Sequence, residues 1–387
     1  MPRLVVLLEQ LLAPVPGGTA RYSRELTRAL VATAPPGWTV GAAVARHADP
    51  GAALVAGIDD LTVLPLPRRA LVAAWESGVP WWPGGDTVHA PTPLAPPGPR
   101  RGRGLVVTVH DTVPWTHPQT LTRRGTHWHR RMICRAARRA DALVVPTAAV
   151  AAELRRYLPH PTRMRLMGRM HVVGQGATPA VVTAPQPQHA DGIAARLDLP
   201  PYYVLAIGTL EPRKGIDVLL DALASPHGPD VSLVLVGQRG WGGVHPEVAA
   251  RRAGFAPSLL RVLGEITDAE LAVVLHRAAV LAAPSQAEGF GLPVLEAMAA
   301  GVPVVHSDVP ALVEVAGSAG VSVPRNDRAG LAAALRAVLA DRGTAEAMVT
   351  AGRQRARQFS WEHTARQLWA VHVELHHARS RGDVRLG

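Results

Sequence analysis

The chain has 387 residues, 48% of them hydrophobic and 18% charged, with a formal net charge of +11 at pH 7. That length suits about two domains, and that composition excludes a disordered or collagen-like chain. The sole cysteine, Cys134, excludes an internal disulfide framework, and no apolar run approaches the ~20 residues that a membrane-spanning helix needs.

"RLVVLLE" (3–9) reads as a first buried strand, followed by the helical "GGTARYSRELTRALVATA". Apolar runs of strand length then alternate with amphipathic stretches: "TVGAAVA" (39–45), "GLVVTVH" (104–110) and "ALVVPT" (142–147). This is the rhythm of a parallel sheet covered on both faces. It pauses at the proline-rich "GATPAVVTAPQPQHADG" (176–192), a candidate linker, and resumes with six more runs between 202 and 324. "SWEHTARQLWAVHVELHHARS" reads as a closing helix capped by Ser360. The expected organisation is two doubly wound α/β domains, 1–183 and 201–360, joined by a linker at 184–200. A C-terminal helix within 361–387 is expected to return to the first domain.

The charge is lopsided. Residues 1–198 hold 23 arginines against 12 acidic residues, so the whole excess lies there. Much of it falls in "RRGTHWHRRMICRAARRAD" (123–141). That segment suits a solvated helix face, an anionic membrane surface or an anionic acceptor. No nucleic-acid-reading motif accompanies it, and no nucleic acid is expected.

Ligands of doubly wound sheets bind at the carboxyl ends of strands, so the strand-to-helix loops matter most. The first contains Gly17 and Gly18, where the backbone can approach a ligand closely; a plain tight turn explains them equally well. Neither a dinucleotide fingerprint nor a Walker-type phosphate loop occurs in the chain. "VTVHDTVPW" places His110 at a strand end. "GTLEPRKG" (208–215) contains Arg213 and Lys214, the only lysine in the chain, at a predicted helix N-terminus. Two cations there do nothing for the helix, but they suit a phosphate or diphosphate. "SQAEGFGLPVLEAMAAGVPVV" (285–305) predicts a helix over 293–300, preceded by the amides of Gly289, Phe290 and Gly291. Glu288 and Glu296 flank that helix start. Carboxylates beside an anion site are useful if they accept hydrogen bonds from hydroxyls. Cations for phosphate and carboxylates for hydroxyls together describe a nucleotide sugar.

Glu288 and Glu296 resemble the E-x7-E signature of glycosyltransferase family 4, retaining enzymes of the GT-B fold with two Rossmann-like domains facing a central cleft. "GGTARYSREL", "VTVHDTVPWTHP", "GTLEPRKGIDVLLDAL" and "DVPALVEVAGSAGVSVP" resemble further landmarks of the family, in the family's order. The resemblance implies that Arg213 and Lys214 bind the donor diphosphate with the amides of Phe290, Gly291 and the adjoining Leu292. It implies that Glu288 contacts the donor sugar, Glu296 holds the ribose, and His110 lines the sugar pocket. Gly17 and Gly18 would let the first loop approach the donor, and Val262 and Leu263 would meet the nucleobase through their backbone. Thr209, where some members carry arginine, resembles a branch with many mannosyltransferases.

The implied activity is transfer of a hexose, mannose favoured, from a nucleoside-diphosphate sugar to a hydroxyl of a glycan, lipid-linked or small-molecule acceptor. GDP-mannose is the favoured donor. No Asp-x-Asp motif or His/Cys cluster is evident, so neither a metal nor another cofactor is expected. The expected location is cytoplasmic, with peripheral contact at an anionic membrane through residues 123–139, where Trp128 accompanies the arginines. The competing readings are a GT-B-like epimerase or phosphorylase, and a non-catalytic nucleotide-sugar-binding scaffold.

Overall fold

The protein is described from a computed structural model covering residues 1–15, 17–240 and 242–380. It divides into two compact units. The first comprises Met1–Trp115, Thr122–Gln175 and the chain from Ser360 onward; the second comprises Thr116–Leu121 and Gly176–Phe359.

The first unit is built on seven strands: β1 (Arg3–Leu7), β2 (Thr39–Arg46), β3 (Leu61–Pro67), β4 (Thr87–Ala90), β5 (Gly104–Thr108), β6 (Ala142–Val145) and β7 (Met170–Val172). All pair in parallel, in the order β3-β2-β1-β4-β5-β6-β7. β1, β4, β5 and β6 are buried almost throughout, because helices cover both faces and no side of the strand can be polar. Leu4 and Val6 pack on one side with Leu26 and Leu30, while Val5, Val88 and Leu105 pack on the other with Trp75 and Ile133.

The second unit repeats the plan with six strands: β8 (Tyr203–Ile207), β9 (Ser232–Val236), β10 (Leu260–Gly264), β11 (Val280–Ala283), β12 (Val304–Ser307) and β13 (Val321–Val323). Their order, β10-β9-β8-β11-β12-β13, is again parallel and again reverses between the first and fourth strands of the unit.

Two sequence expectations change. The predicted linker at 184–200 is largely a helix, Pro187–Arg196, belonging to the second unit. Its Ala190, Ile193 and Ala194 recur at helical spacing and pack on Val273, while Pro187 occupies the first turn, where proline costs nothing. The boundary between the units accordingly falls at 175, not 183. The C-terminal segment forms the helix Trp361–Ser380, with Ser360 Oγ accepting the His363 N–H at 3.1 Å. Trp361, Ala365, Leu368 and Trp369 join the core that contains Leu4 and Leu26, and Trp369 Nε1 donates to Leu30 O at 3.0 Å. Residues 381–387 of that predicted segment lie outside the described residues.

The arginine-rich segment is the helix Arg123–Arg139, capped by Thr122. Its Met132, Ile133, Ala136 and Ala137 are buried, and Trp128 packs on the same core. Its apolar face, Trp128 included, is thus spent on the fold, and what it offers to solvent is charge. Among the described residues, no helix is long and apolar enough to cross a membrane.

Candidate active site

Where strand order reverses, adjacent loops leave in opposite directions and open a crevice at the carboxyl edge of the sheet. In the second unit that point lies between β8 and β11. Both charged motifs fall there: residues 208–215 follow β8 and residues 284–291 follow β11.

After β8 the chain makes a 3-10 turn, Pro212–Lys214, before the helix Ile216–Leu223 begins. Arg213 and Lys214 therefore sit in that turn, immediately before the helix whose amino end was predicted there. The physical reason is Gly215. At φ +66° it lies in the left-handed region, closing the turn and redirecting the chain into the helix. A Cβ at Gly215 would overlap the Pro284 carbonyl. Gly215→Ala combines left-handed strain with a backbone clash, so it should destabilise the second unit by about 2–4 kcal/mol. The measurement is the urea midpoint, and a shift below 0.5 kcal/mol would contradict the packing described.

The two loops are tied together. Gln286 N–H donates to Arg213 O at 2.7 Å. Arg213 Nη1 donates to Ala287 O at 2.9 Å and to Glu288 Oε2 at 3.2 Å, while Nη2 meets Glu211 Oε1 at 2.7 Å. Lys214 Nζ donates to Glu288 Oε1, which also accepts from Ser285 Oγ at 2.8 Å. Burial alone would raise the Glu288 carboxyl, but Lys214 and Arg213 outweigh it and hold its pKa at about 2. Glu288 is therefore charged at any working pH. Two carboxylates, Glu211 and Glu288, thus orient two cations within one rigid cluster.

Beside this cluster begins the helix Leu292–Ala300, one residue earlier than predicted. Gly291 caps it at φ +94°, where a Cβ would overlap Leu312 Cδ2. Phe290 is buried edge-on against Phe359, with ring centroids 5.8 Å apart. This amino end presents backbone N–H groups and a partial positive charge. Gly208, Lys214, Ser285, Glu288 and Gly291 line a shared cavity of about 20 Å³. Thr209, Val262, Leu263 and Glu296 do not line it. Val262 and Leu263 lie in the edge strand β10 and are half-buried. Glu296, one turn into its helix, is wholly shielded from solvent. Sequence reasoning passed over Glu211 and Ser285. Both lie inside the quoted motifs, two and three residues from Arg213 and Glu288 respectively.

In the first unit, Gly17 and Gly18 open the helix Gly17–Ala32 instead of preceding it. His110 follows β5, and its Nε2 donates to the carbonyl of Pro91, which follows β4, at 2.7 Å. That bond leaves Nδ1 as the acceptor nitrogen. Burial pushes the His110 imidazole below its ordinary pKa, only partly countered by Pro91 and Asp111, so the ring is held neutral. Tyr22 meets it edge-on at 4.6 Å. Behind Tyr22 runs a buried polar chain. Tyr22 OH lies 3.4 Å from Thr108 Oγ1, which lies 3.1 Å from His89 Nε2; His89 Nδ1 in turn lies 3.3 Å from His372 Nε2 on the C-terminal helix.

Comparison with known proteins identifies the family. The profile for Glycosyltransferase Family 4 matches residues 16–169, and that for Glycosyl transferases group 1 matches residues 193–355. The chain is 30% identical over 322 residues to a D-inositol 3-phosphate glycosyltransferase of Jonesia denitrificans, covering 79% of this chain and 71% of that protein.

The chain belongs to glycosyltransferase family 4.

It is also 40% identical over 169 residues to an O-antigen chain mannosyltransferase B of Escherichia coli, covering 43% of this chain and 44% of that one. With 44%, 46% and 55% of three such proteins matched, the chain spans about half the length of several curated relatives. The solved sucrose-phosphate synthase from Thermosynechococcus elongatus aligns over 98% of this chain and all of its own, with a TM-score of 0.75 and 24% identity. That likeness carries the fold: two Rossmann-like parallel-sheet domains of the GT-B kind, as expected from the resemblance to family 4. Among the described residues, no three His, Cys, Asp or Glu side chains group as metal ligands.

Proposed function

We propose that this family 4 chain moves a hexose, mannose favoured, from a nucleoside-diphosphate sugar to an acceptor hydroxyl. GDP-mannose is the favoured donor, and the acceptor is a glycan, a lipid-linked saccharide or a small polyol. The transfer retains anomeric configuration. The observation that carries this reading is the Arg213–Lys214–Glu288 cluster at the switch point of the second sheet, beside the amino end of the helix Leu292–Ala300. The bond from the anomeric carbon to the diphosphate oxygen breaks, and a bond to the acceptor oxygen forms on the same face. The departing diphosphate takes the acceptor's proton. Fixed cations and amides stabilise the charge that grows on that diphosphate, and they do so without a metal.

Glu288 orients the cations and reaches toward the sugar. Glu296 would meet the ribose only after its helix is uncovered, since it is buried in the structure. His110 is assigned to the sugar pocket, and Gly17, Gly18, Thr209, Val262 and Leu263 keep their donor-binding assignments within this proposal. Peripheral membrane contact through residues 123–139 is retained in electrostatic form only, because Trp128 is committed to the core.

The test is a thermal-shift panel of nucleotide sugars on the full chain. It is followed by nucleoside-diphosphate release from the best donor, with and without chelator, across mannoside acceptors and D-inositol 3-phosphate. A melting shift with GDP-mannose and acceptor-dependent release insensitive to chelator are expected. An isomerised donor formed without acceptor would establish the epimerase reading, and binding without turnover across the panel would establish the scaffold.

A further inference from the structure

The first unit holds a second cationic feature that the proposed transfer does not use. Arg135, Arg138, Arg139 and Arg165 line a pocket of about 390 Å³ together with Gly78 and Pro97. Among the described residues, no carboxylate lines it. Among the described residues, Arg138, Arg139 and Arg165 have no ion-pair partner, and all three are exposed. Arg135 is anchored: its guanidinium donates to the carbonyls of Trp75 and Glu76. The stem of Arg139 lies against the loop at Gly98, where a Cβ would stand 3.7 Å from Arg139 Cβ.

The pocket's position sets it apart from the transfer chemistry. Arg139 ends the helix that leads into β6, and Arg165 ends the helix that leads into β7. Pro97 lies in the loop leading into β5. All three therefore mark the amino edge of a sheet whose strands are all parallel, whereas His110 follows β5 at the carboxyl edge. A strand of five residues separates those edges by about 15 Å.

Helix dipoles account for part of the charge. Three helices, ending at Ser77, Arg139 and Arg165, bring their carboxyl ends here. At roughly half a negative charge each, they offset about 1.5 of the four positive charges and leave about +2.5. Beyond the effect of burial, neighbouring Arg131, Arg139 and Arg138 lower the pKa of the Arg135 guanidinium, and Glu76 offsets part of that repulsion. Guanidinium groups in a concave pocket match phosphate oxygens through paired N–H donors.

We propose that this four-arginine pocket binds a phosphate ester, independently of the donor site in the second unit. Two sources share that chemistry: a soluble phosphorylated metabolite and the headgroup of an anionic phospholipid. Exposed Val79 and Met164, next in sequence to Gly78 and Arg165, adjoin the pocket and would lie against lipid in the second case.

The experiment uses the full chain and the exposed pair Arg138→Gln/Arg139→Gln, with Arg165→Gln as a second variant. The charge-matched control, Arg251→Gln/Arg252→Gln, lies in the helix Pro246–Ala253 of the second unit. Inorganic pyrophosphate is titrated by calorimetry, phosphatidylglycerol-containing vesicles by co-sedimentation, and GDP as a check on the second unit. Loss of one pyrophosphate site, or at least tenfold weaker binding, in the pocket variants but not in the control supports the soluble source. Unchanged pyrophosphate binding with vesicle binding lost only in the pocket variants supports the headgroup. The proposal is overturned if the pocket variants bind both probes like the unaltered chain, if the control loses as much as they do, or if GDP binding falls in parallel.

Discussion

Replacing Lys214 with alanine should lower turnover by roughly 100-fold or more, the scale set by deleting one preorganised donor to a developing oxyanion. Its ammonium is already fixed by Glu288, so it costs no reorganisation when charge grows on the leaving diphosphate. Glu211, Arg213, Lys214 and Glu288 carry formal charges that cancel, and the alanine variant would leave the cluster negative where an anion must approach. Lys214→Arg should fail as well, by about tenfold or more on the same scale. The lysine stem runs against Gly208: a Cβ there would stand 3.1 Å from Lys214 Cε, and the cavity beside it holds only about 20 Å³. A planar guanidinium does not fit. Steady-state kinetics with an unchanged urea midpoint are the check; turnover within threefold of the parent would remove Lys214 from the site in the alanine variant and overturn the steric argument in the arginine variant.

The first unit should lose stability steeply below pH 6.5. His89 and His372 are fully buried. Burial, with a smaller push from His110, lowers the His89 pKa to about 3. Burial and then His89 lower His372 well below its ordinary value. Both pKa values are lower in the folded state, so the unfolded chain takes up protons first as pH falls through 6.5. Stability from these rings is therefore complete above that pH and is lost below it, down to about 3 for His89. The slope is ~1.4 kcal/mol per pH unit for each ring, or about 4 kcal/mol for both between pH 6.5 and 5.0. His372→Gln keeps a polar side chain but removes one titration, so its loss over the same range should be smaller by about 2 kcal/mol. Urea midpoints at pH 7.5 and 5.0 measure both. Parallel pH curves for parent and variant would show that the pair does not carry the acid sensitivity.

Much of this was legible in the sequence because long apolar runs bounded by glycine or proline define strands wherever a sheet is buried on both faces. β1, β5, β6 and β8–β13 all fall within predicted runs, and β2 exceeds its run by one residue, Arg46. β3, β4 and β7 escaped for identifiable reasons. β3 is an edge strand carrying two prolines, β4 includes Thr87 and His89, and β7 includes His171, so neither of the last two presents an uninterrupted apolar run. The linker reading failed because prolines at 179 and 187 were taken as breakers when both begin helices. At the site, the motifs located Arg213, Lys214 and Glu288 but could not reveal that they bind one another. Nor could sequence show that Glu296 is enclosed, since a carboxylate one turn into a helix reads the same whether buried or exposed.

The helix Trp361–Ser380 has a consequence for how the protein is made. It supplies part of the core around Leu4 and Leu26, yet residues 176–359 of the second unit intervene in the chain. A ribosome adding about 5–20 residues per second needs roughly 10–40 s to traverse residues 176–359. Throughout that interval the half that emerged earlier waits with apolar surface uncovered, while the half made later can finish first. Nascent chains stalled before residue 360 should therefore bind holdase chaperones through the segment synthesised first, and release them once the closing helix has emerged.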